Sequence, residues 1–277
     1  NMNLSRLSSG ILSLLATLFV FSCSPAAPKQ AVDETKHKKH DDPSAVVFRL
    51  TKANLANPEK WNDSPTLKDV TLTDEVQEMH LSLTRKGFLA DGEKGLKEWK
   101  VKSTVTEPNT VYLLEILYKD AQDELMNGQF IENGQDLIHQ HFFRRYAEYV
   151  SPEDGIKRVY PVPNADELGF DYRYADVSPW NKPYTDPASM FTGNTNPMGF
   201  KGLIRFTEED IRFHITILLM HAHEPKARFD KAKKVQIFMP FYNNDAFRIN
   251  QEADISLDVA VSVDKATKDQ RIERLRK

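Results

Sequence analysis

The chain of 277 residues holds one cysteine, Cys23. No disulfide can form within it, so stability must come from a packed core. Charge of neither sign prevails: 37 Lys+Arg stand against 40 Asp+Glu, a formal net charge of −3. A near-balanced surface lacks the basic footprint of a nucleic-acid binder. Long hydrophobic runs are missing after residue 21. The longest later stretch, Ile215 to Met220, is interrupted by Thr216 and falls far short of the roughly 20 residues a membrane helix needs. There is no Gly-x-Ser-x-Gly elbow, no phosphate-cradling glycine loop and no His-Glu-x-x-His helix, and no Ser-His-acid set stands out. These absences point away from an enzyme.

What is present begins at the N-terminus. Arg6 precedes an apolar run from Ile11 to Phe21, followed by Ser22, Cys23 and then Ser24-Pro25-Ala26-Ala27-Pro28. A basic start, a short apolar segment and a small residue before cysteine make a bacterial lipoprotein signal peptide, cleaved after Ser22, with Cys23 receiving the lipid. A thiol is required because its sulfur forms the thioether to diacylglycerol. Removing residues 1–22 takes away one arginine and no acid, so the charge moves from −3 to −4. Residues 23–42 then read as a flexible lipidated tether, ending in Lys36-His37-Lys38-Lys39-His40-Asp41-Asp42 with almost no apolar content. The expected location is the outer membrane, lipid-anchored on its periplasmic or cell-surface face.

From Pro43 onward the pattern has period two. Val46, Phe48 and Leu50 share a face, as do Met79, Leu81 and Leu83, and Tyr112, Leu114, Ile116 and Tyr118. Phe213, Ile215, Ile217 and Leu219 form another set. Ile255, Leu257, Val259, Val261 and Val263 alternate with Asp254, Ser256, Asp258, Ala260 and Ser262. One apolar face per segment means half-buried antiparallel strands, and turn pairs such as Asn133-Gly134 and Asp154-Gly155 separate them. The expected fold is all-β, an antiparallel β-sandwich architecture. An immunoglobulin-like sandwich takes about 100 residues, so two in tandem are expected, over 43–150 and 151–264, with a charged tail at 265–277.

Six of the eight histidines fall in three pairs. His37 and His40 lie beside Asp41 and Asp42, a mixed set able to hold a borderline cation; the alternative is a charged spacer. His139 and His141 fall on one face of a strand, between Leu137 and Phe143. His221 and His223 continue the face of Phe213 to Leu219 at a strand end, where binding residues concentrate. Each pair alone is short of the three or four ligands that zinc takes. The alternative is that these imidazoles bond to backbone at sheet edges. Phe170, Tyr172, Tyr174, Trp180 and Tyr184 crowd another segment; such rings fill a core or stack on a sugar or porphyrin.

Asn133-Gly134-Gln135-Asp136 running into Ile138-His139-Gln140-His141-Phe142-Phe143 resembles a group of Bacteroidota lipoproteins found alongside TonB-dependent outer-membrane receptors. So does Asn196-Pro197-Met198-Gly199-Phe200-Lys201-Gly202 followed by Leu219-Met220-His221-Ala222. That group carries a His- and acid-rich stretch after the lipid cysteine, of which His37, His40, Asp41 and Asp42 are a thin version. Ala53-Asn54-Leu55-Ala56-Asn57 stand where it has further histidines. The resemblance implies capture of a nutrient for a receptor, with zinc, copper or haem iron as candidate ligands. The partners expected are the bilayer, through acylated Cys23, and a TonB-dependent receptor. The competing expectation is a structural, adhesive or glycan-binding surface module.

Overall fold

The structure, a computed structural model, describes residues 39–222, 225–226, 228–230, 235–237, 242–243 and 252–276. Its strands are β1 (Ala45–Leu55), β2 (Val70–Thr84), β3 (Gly87–Ala90), β4 (Trp99–Val101), β5 (Thr110–Lys119), β6 (His139–Arg144), β7 (Tyr146–Val150) and β8 (Lys157–Pro161). They continue with β9 (Phe170–Tyr174), β10 (Val177–Ser178), β11 (Met190–Phe191), β12 (Lys201–Phe206), β13 (Arg212–His221), β14 (Arg228–Asp230), β15 (Val235–Ile237) and β16 (Glu252–Val263). One short helix, α1 (Asn127–Ile131), follows β5, and a second helix, Lys268–Leu275, follows β16.

Two sheets make the body. The larger runs β3-β2-β1-β5-β12-β9 and is antiparallel throughout. The smaller runs β4-β16-β13-β6, with β4 parallel to β16 and the other neighbours antiparallel. Period two explains the core. Val46, Phe48 and Leu50 of β1 and Tyr112, Leu114, Ile116 and Tyr118 of β5 face Ile215, Ile217 and Leu219 of β13 and Leu257, Val259 and Val261 of β16 in one buried cluster. Burying such side chains contributes about 1.5–3 kcal/mol each before entropy is counted. The all-β sandwich architecture is thus as the alternation predicts.

The division into two tandem sandwiches at residue 150 is not what forms. The larger sheet takes β1, β2, β3 and β5 from one side of that position and β9 and β12 from the other; the smaller takes β4 and β6 from one side and β13 and β16 from the other. Neither half owns either of these two sheets whole, so the halves share one core. The stretch that reads as a boundary, Ser151 to Gly155, is the turn of the β7–β8 hairpin instead.

A second cluster covers the outer face of the larger sheet, where Trp61 and Leu67 pack on Val111, Leu113 and Leu203. This is why β5 is buried on both faces over its first half. Phe170, Tyr172 and Tyr174 are core residues, with Tyr172 stacked on Phe143 at 4.0 Å. Gly202 is required there, because a Cβ at that position would meet the Tyr172 hydroxyl. Among the described residues, no helix is long and apolar enough to cross a membrane.

Candidate metal centre

The register between β6 and β13 places His139 directly opposite His221. Opposed residues on one face of an antiparallel pair bring their Cβ atoms within about 5 Å of each other. The rings converge: His139 Nε2 lies 3.1 Å from His221 Nδ1. A register irregularity in the β13–β16 pairing falls between Leu219 and Met220, one residue before this site, and bulges commonly re-aim a strand next to functional positions.

The third imidazole comes from outside both sheets. His40 precedes β1, in the segment expected to be the end of a flexible tether. Its side chain is instead buried, with the ring centred 4.2 Å from that of Phe130 on α1. His40 Nε2 lies 3.2 Å from His139 Nε2 and 3.3 Å from His221 Nδ1. The tether reading fails at its last residues because an aromatic shelf and two histidines give His40 something to bury against. Asp41 also docks, its backbone N–H donating to Gln129 Oε1 at 2.8 Å.

Backbone carbonyls set the tautomers. His139 Nδ1 donates to the carbonyls of Gln135 at 2.9 Å and Phe130 at 3.1 Å, and His40 Nδ1 donates to the carbonyl of Asp41 at 3.1 Å. A neutral imidazole with its proton on Nδ1 presents a lone pair at Nε2. Two lone pairs therefore face each other across 3.2 Å, with a third ring nitrogen beside them. Two arrangements hold such a cluster together: a proton that His221 Nδ1 donates to its neighbours, or a cation that all three nitrogens coordinate. A proton on His139 is disfavoured: burial first, then the neighbouring His40 and His221, push its pKa down to about 3. A tetrahedral zinc ion with Zn–N bonds of about 2.0–2.1 Å separates its nitrogens by about 3.3–3.4 Å, close to the spacing found here. Carbonyls that hold the far nitrogen of a ligating histidine are the usual support of a metal site.

Lys226, buried, completes the surroundings. Its Nζ donates to the carbonyls of His139 at 2.7 Å and Pro197 at 2.6 Å, and burial lowers its pKa to about 7. It ties the start of β6 to the loop that leads into β12.

His141 is not part of the cluster. It lies on the same face of β6, but both its nitrogens are engaged elsewhere. Nδ1 donates to the Met198 carbonyl at 2.9 Å, and Nε2 lies 2.8 Å from the Tyr118 hydroxyl. Burial lowers its pKa to about 3. The loop carrying Met198 is fixed by Asp176, whose carboxylate accepts the N–H groups of Met198, Gly199, Phe200 and Lys201 at 2.8–3.1 Å. Gly199, at φ +81, lets the backbone approach His141. The paired His139 and His141 thus separate into a cluster member and a core residue, and the bridge His139 makes is to the next strand. Asp41 and Asp42 are exposed and are not among the three converging side chains. Cys23, His37 and His223 lie outside the described residues.

His40, His139 and His221 form the group of potential metal ligands found among the described residues. Their donors are all neutral nitrogens, which suit zinc, copper or nickel rather than calcium or magnesium. Three ligands leave a coordination position for water or a further donor. His40 was legible as a histidine with possible ligand neighbours, but nothing in the sequence linked it to residues 99 and 181 positions further on.

No family model, curated protein or solved structure matches the chain.

Proposed function

We propose that this protein is a lipid-anchored, non-enzymatic lipoprotein of the outer membrane that captures a first-row transition-metal ion for a TonB-dependent receptor. One observation carries the metal reading: His40 Nε2, His139 Nε2 and His221 Nδ1 converge from three separate elements to within 3.1–3.3 Å of one another. A bare ion fits this better than haem. Haem iron takes its axial ligands from opposite faces of a wide ring, whereas these nitrogens meet at one point. The lipid anchor and the receptor partner rest on the signal-peptide pattern around Cys23 and on the resemblance described above. Of the five rings the glycan-binding alternative drew on, Phe170, Tyr172 and Tyr174 are core residues and only Trp180 and Tyr184 are partly exposed.

The test is metal content. Protein purified from membranes without added metal should carry close to one equivalent of a first-row transition metal by elemental analysis, or take up one equivalent of zinc after chelation. No uptake of zinc, copper or nickel would overturn the reading. Cys23→Ala tests the anchor separately, through loss of membrane retention.

A further inference from the structure

Two of the three converging imidazoles belong to the sandwich, and the third belongs to an arm. His139 and His221 are fixed by the β6–β13 ladder. His40 sits in residues 39–43, before the backbone ladder starts at Ser44, whose N–H donates to the Lys119 carbonyl at 2.8 Å. The shelf beneath the arm is tied to β5. Asn127 on α1 accepts from the Tyr118 N–H at 2.7 Å and donates to the Ile116 carbonyl at 2.9 Å, which seats Gln129 and Phe130 against β5. The arm meets that shelf through His40 on Phe130 and the Asp41 N–H on Gln129.

We infer that the bound ion is a clasp: it pins the arm formed by residues 39–43 onto the sandwich, so that metal loading and arm docking control one another. The inference rests on the metal-capture reading and adds regulation to it. With an ion present, the three nitrogens share one positive centre and the docked arm is favoured. Without it, the arm keeps its contacts with Phe130 and Gln129 but not the bonds through the ion, so docking is weaker. Linkage makes the effect reciprocal: whatever factor the docked arm adds to metal affinity, the metal adds to docking. In sequence the arm continues directly from the segment that bears Cys23, so loading changes the surface where the anchored end meets the domain. A receptor can thereby distinguish the loaded protein from the empty one without touching the ion.

The test uses the full chain in detergent, comparing zinc chloride with excess chelator by hydrogen exchange and mass spectrometry. Zinc should slow exchange at the amides of His40, Asp41 and Asp42 by tenfold or more, and should slow tryptic cleavage after the exposed Lys39. His40→Ala should bind zinc at least tenfold more weakly and show no zinc-dependent protection of the arm. If the wild type binds zinc but His40→Ala binds equally well, or arm exchange does not respond, the clasp is wrong and the capture reading stands. If zinc-dependent arm protection survives in His40→Ala, docking does not run through this imidazole and the clasp is again wrong. If the wild type binds no zinc, both readings fall.

Discussion

His40 Nε2 and His139 Nε2 lie 3.2 Å apart although 99 positions separate them in the chain, and backbone carbonyls hold the proton of each ring on its far side. The fold thereby brings two ring nitrogens together at a largely buried point, with His221 Nδ1 within reach of both. Buried ring nitrogens need a partner, and a cation shared by all three supplies one. The consequences can be measured.

Ion selectivity follows from the donors. Neutral nitrogens favour borderline ions, and copper is expected to bind more tightly than zinc by the general order of divalent affinities. Calcium and magnesium, which require oxygen ligands, should not bind below millimolar concentration. Competition against a metallochromic indicator measures this. Tight calcium binding would place the site elsewhere, on carboxylates.

His141 predicts a different phenotype. It is fully buried, stacked on Tyr118 and bonded at both nitrogens. His141→Ala should destabilise the fold by about 2–4 kcal/mol, through a cavity and the loss of the side-chain bonds to Met198 and Tyr118. Zinc affinity of the folded variant should change by less than about threefold, a small effect on the scale of 1.4 kcal/mol per tenfold. Urea unfolding and zinc titration of the same variant separate the two effects.

Acid should unfold the metal-free protein in a particular window. The pKa values of His139 and His141 are each lowered to about 3 in the fold, by burial first, against roughly 6.5 when unfolded. The unfolded chain binds protons that the native chain refuses. The stability these neutral rings contribute is therefore complete above about pH 6.5 and is lost as pH falls toward 3, at up to about 1.4 kcal/mol per pH unit for each ring. Denaturant titrations between pH 8 and 4 should show the decline, and His141→Asn should flatten it. A flat profile in the wild type would mean that the rings are not buried in neutral form.

Asp176 predicts the behaviour of the loop. Its carboxylate accepts four backbone N–H groups. Asp176→Ala leaves them buried without their acceptor, at an expected loss of about 3–5 kcal/mol, while Asp176→Asn keeps an acceptor oxygen and should lose less. Thermal unfolding of both variants checks the order.

Much of the sandwich was legible because period-two alternation is a local signal. Ile255 to Val263 and Phe213 to Leu219 face the core as their spacing requires. Strand partners were not legible. A period states which face is apolar, not which strand lies alongside, so the pairing of β5 with β12 and of β16 with β4 across position 150 had no local signature. The same limit applied to the histidines. His139 and His221 could be singled out from strand position, but their opposition is a matter of register. His40 was read with Asp41 and Asp42 as part of a charged tether because its neighbours are charged. Its burial depends on Phe130, about 90 positions away, and no composition rule carries that contact.

The most direct test of the central claim is calorimetric titration of zinc into the full chain in detergent, alongside His40→Ala, His139→Ala, His221→Ala and His141→Ala. The account predicts one ion per chain in the wild type and in His141→Ala. It predicts a loss of affinity of a hundredfold or more in His139→Ala and His221→Ala, and of tenfold or more in His40→Ala. No binding in the wild type, or a loss confined to His141→Ala, would contradict it.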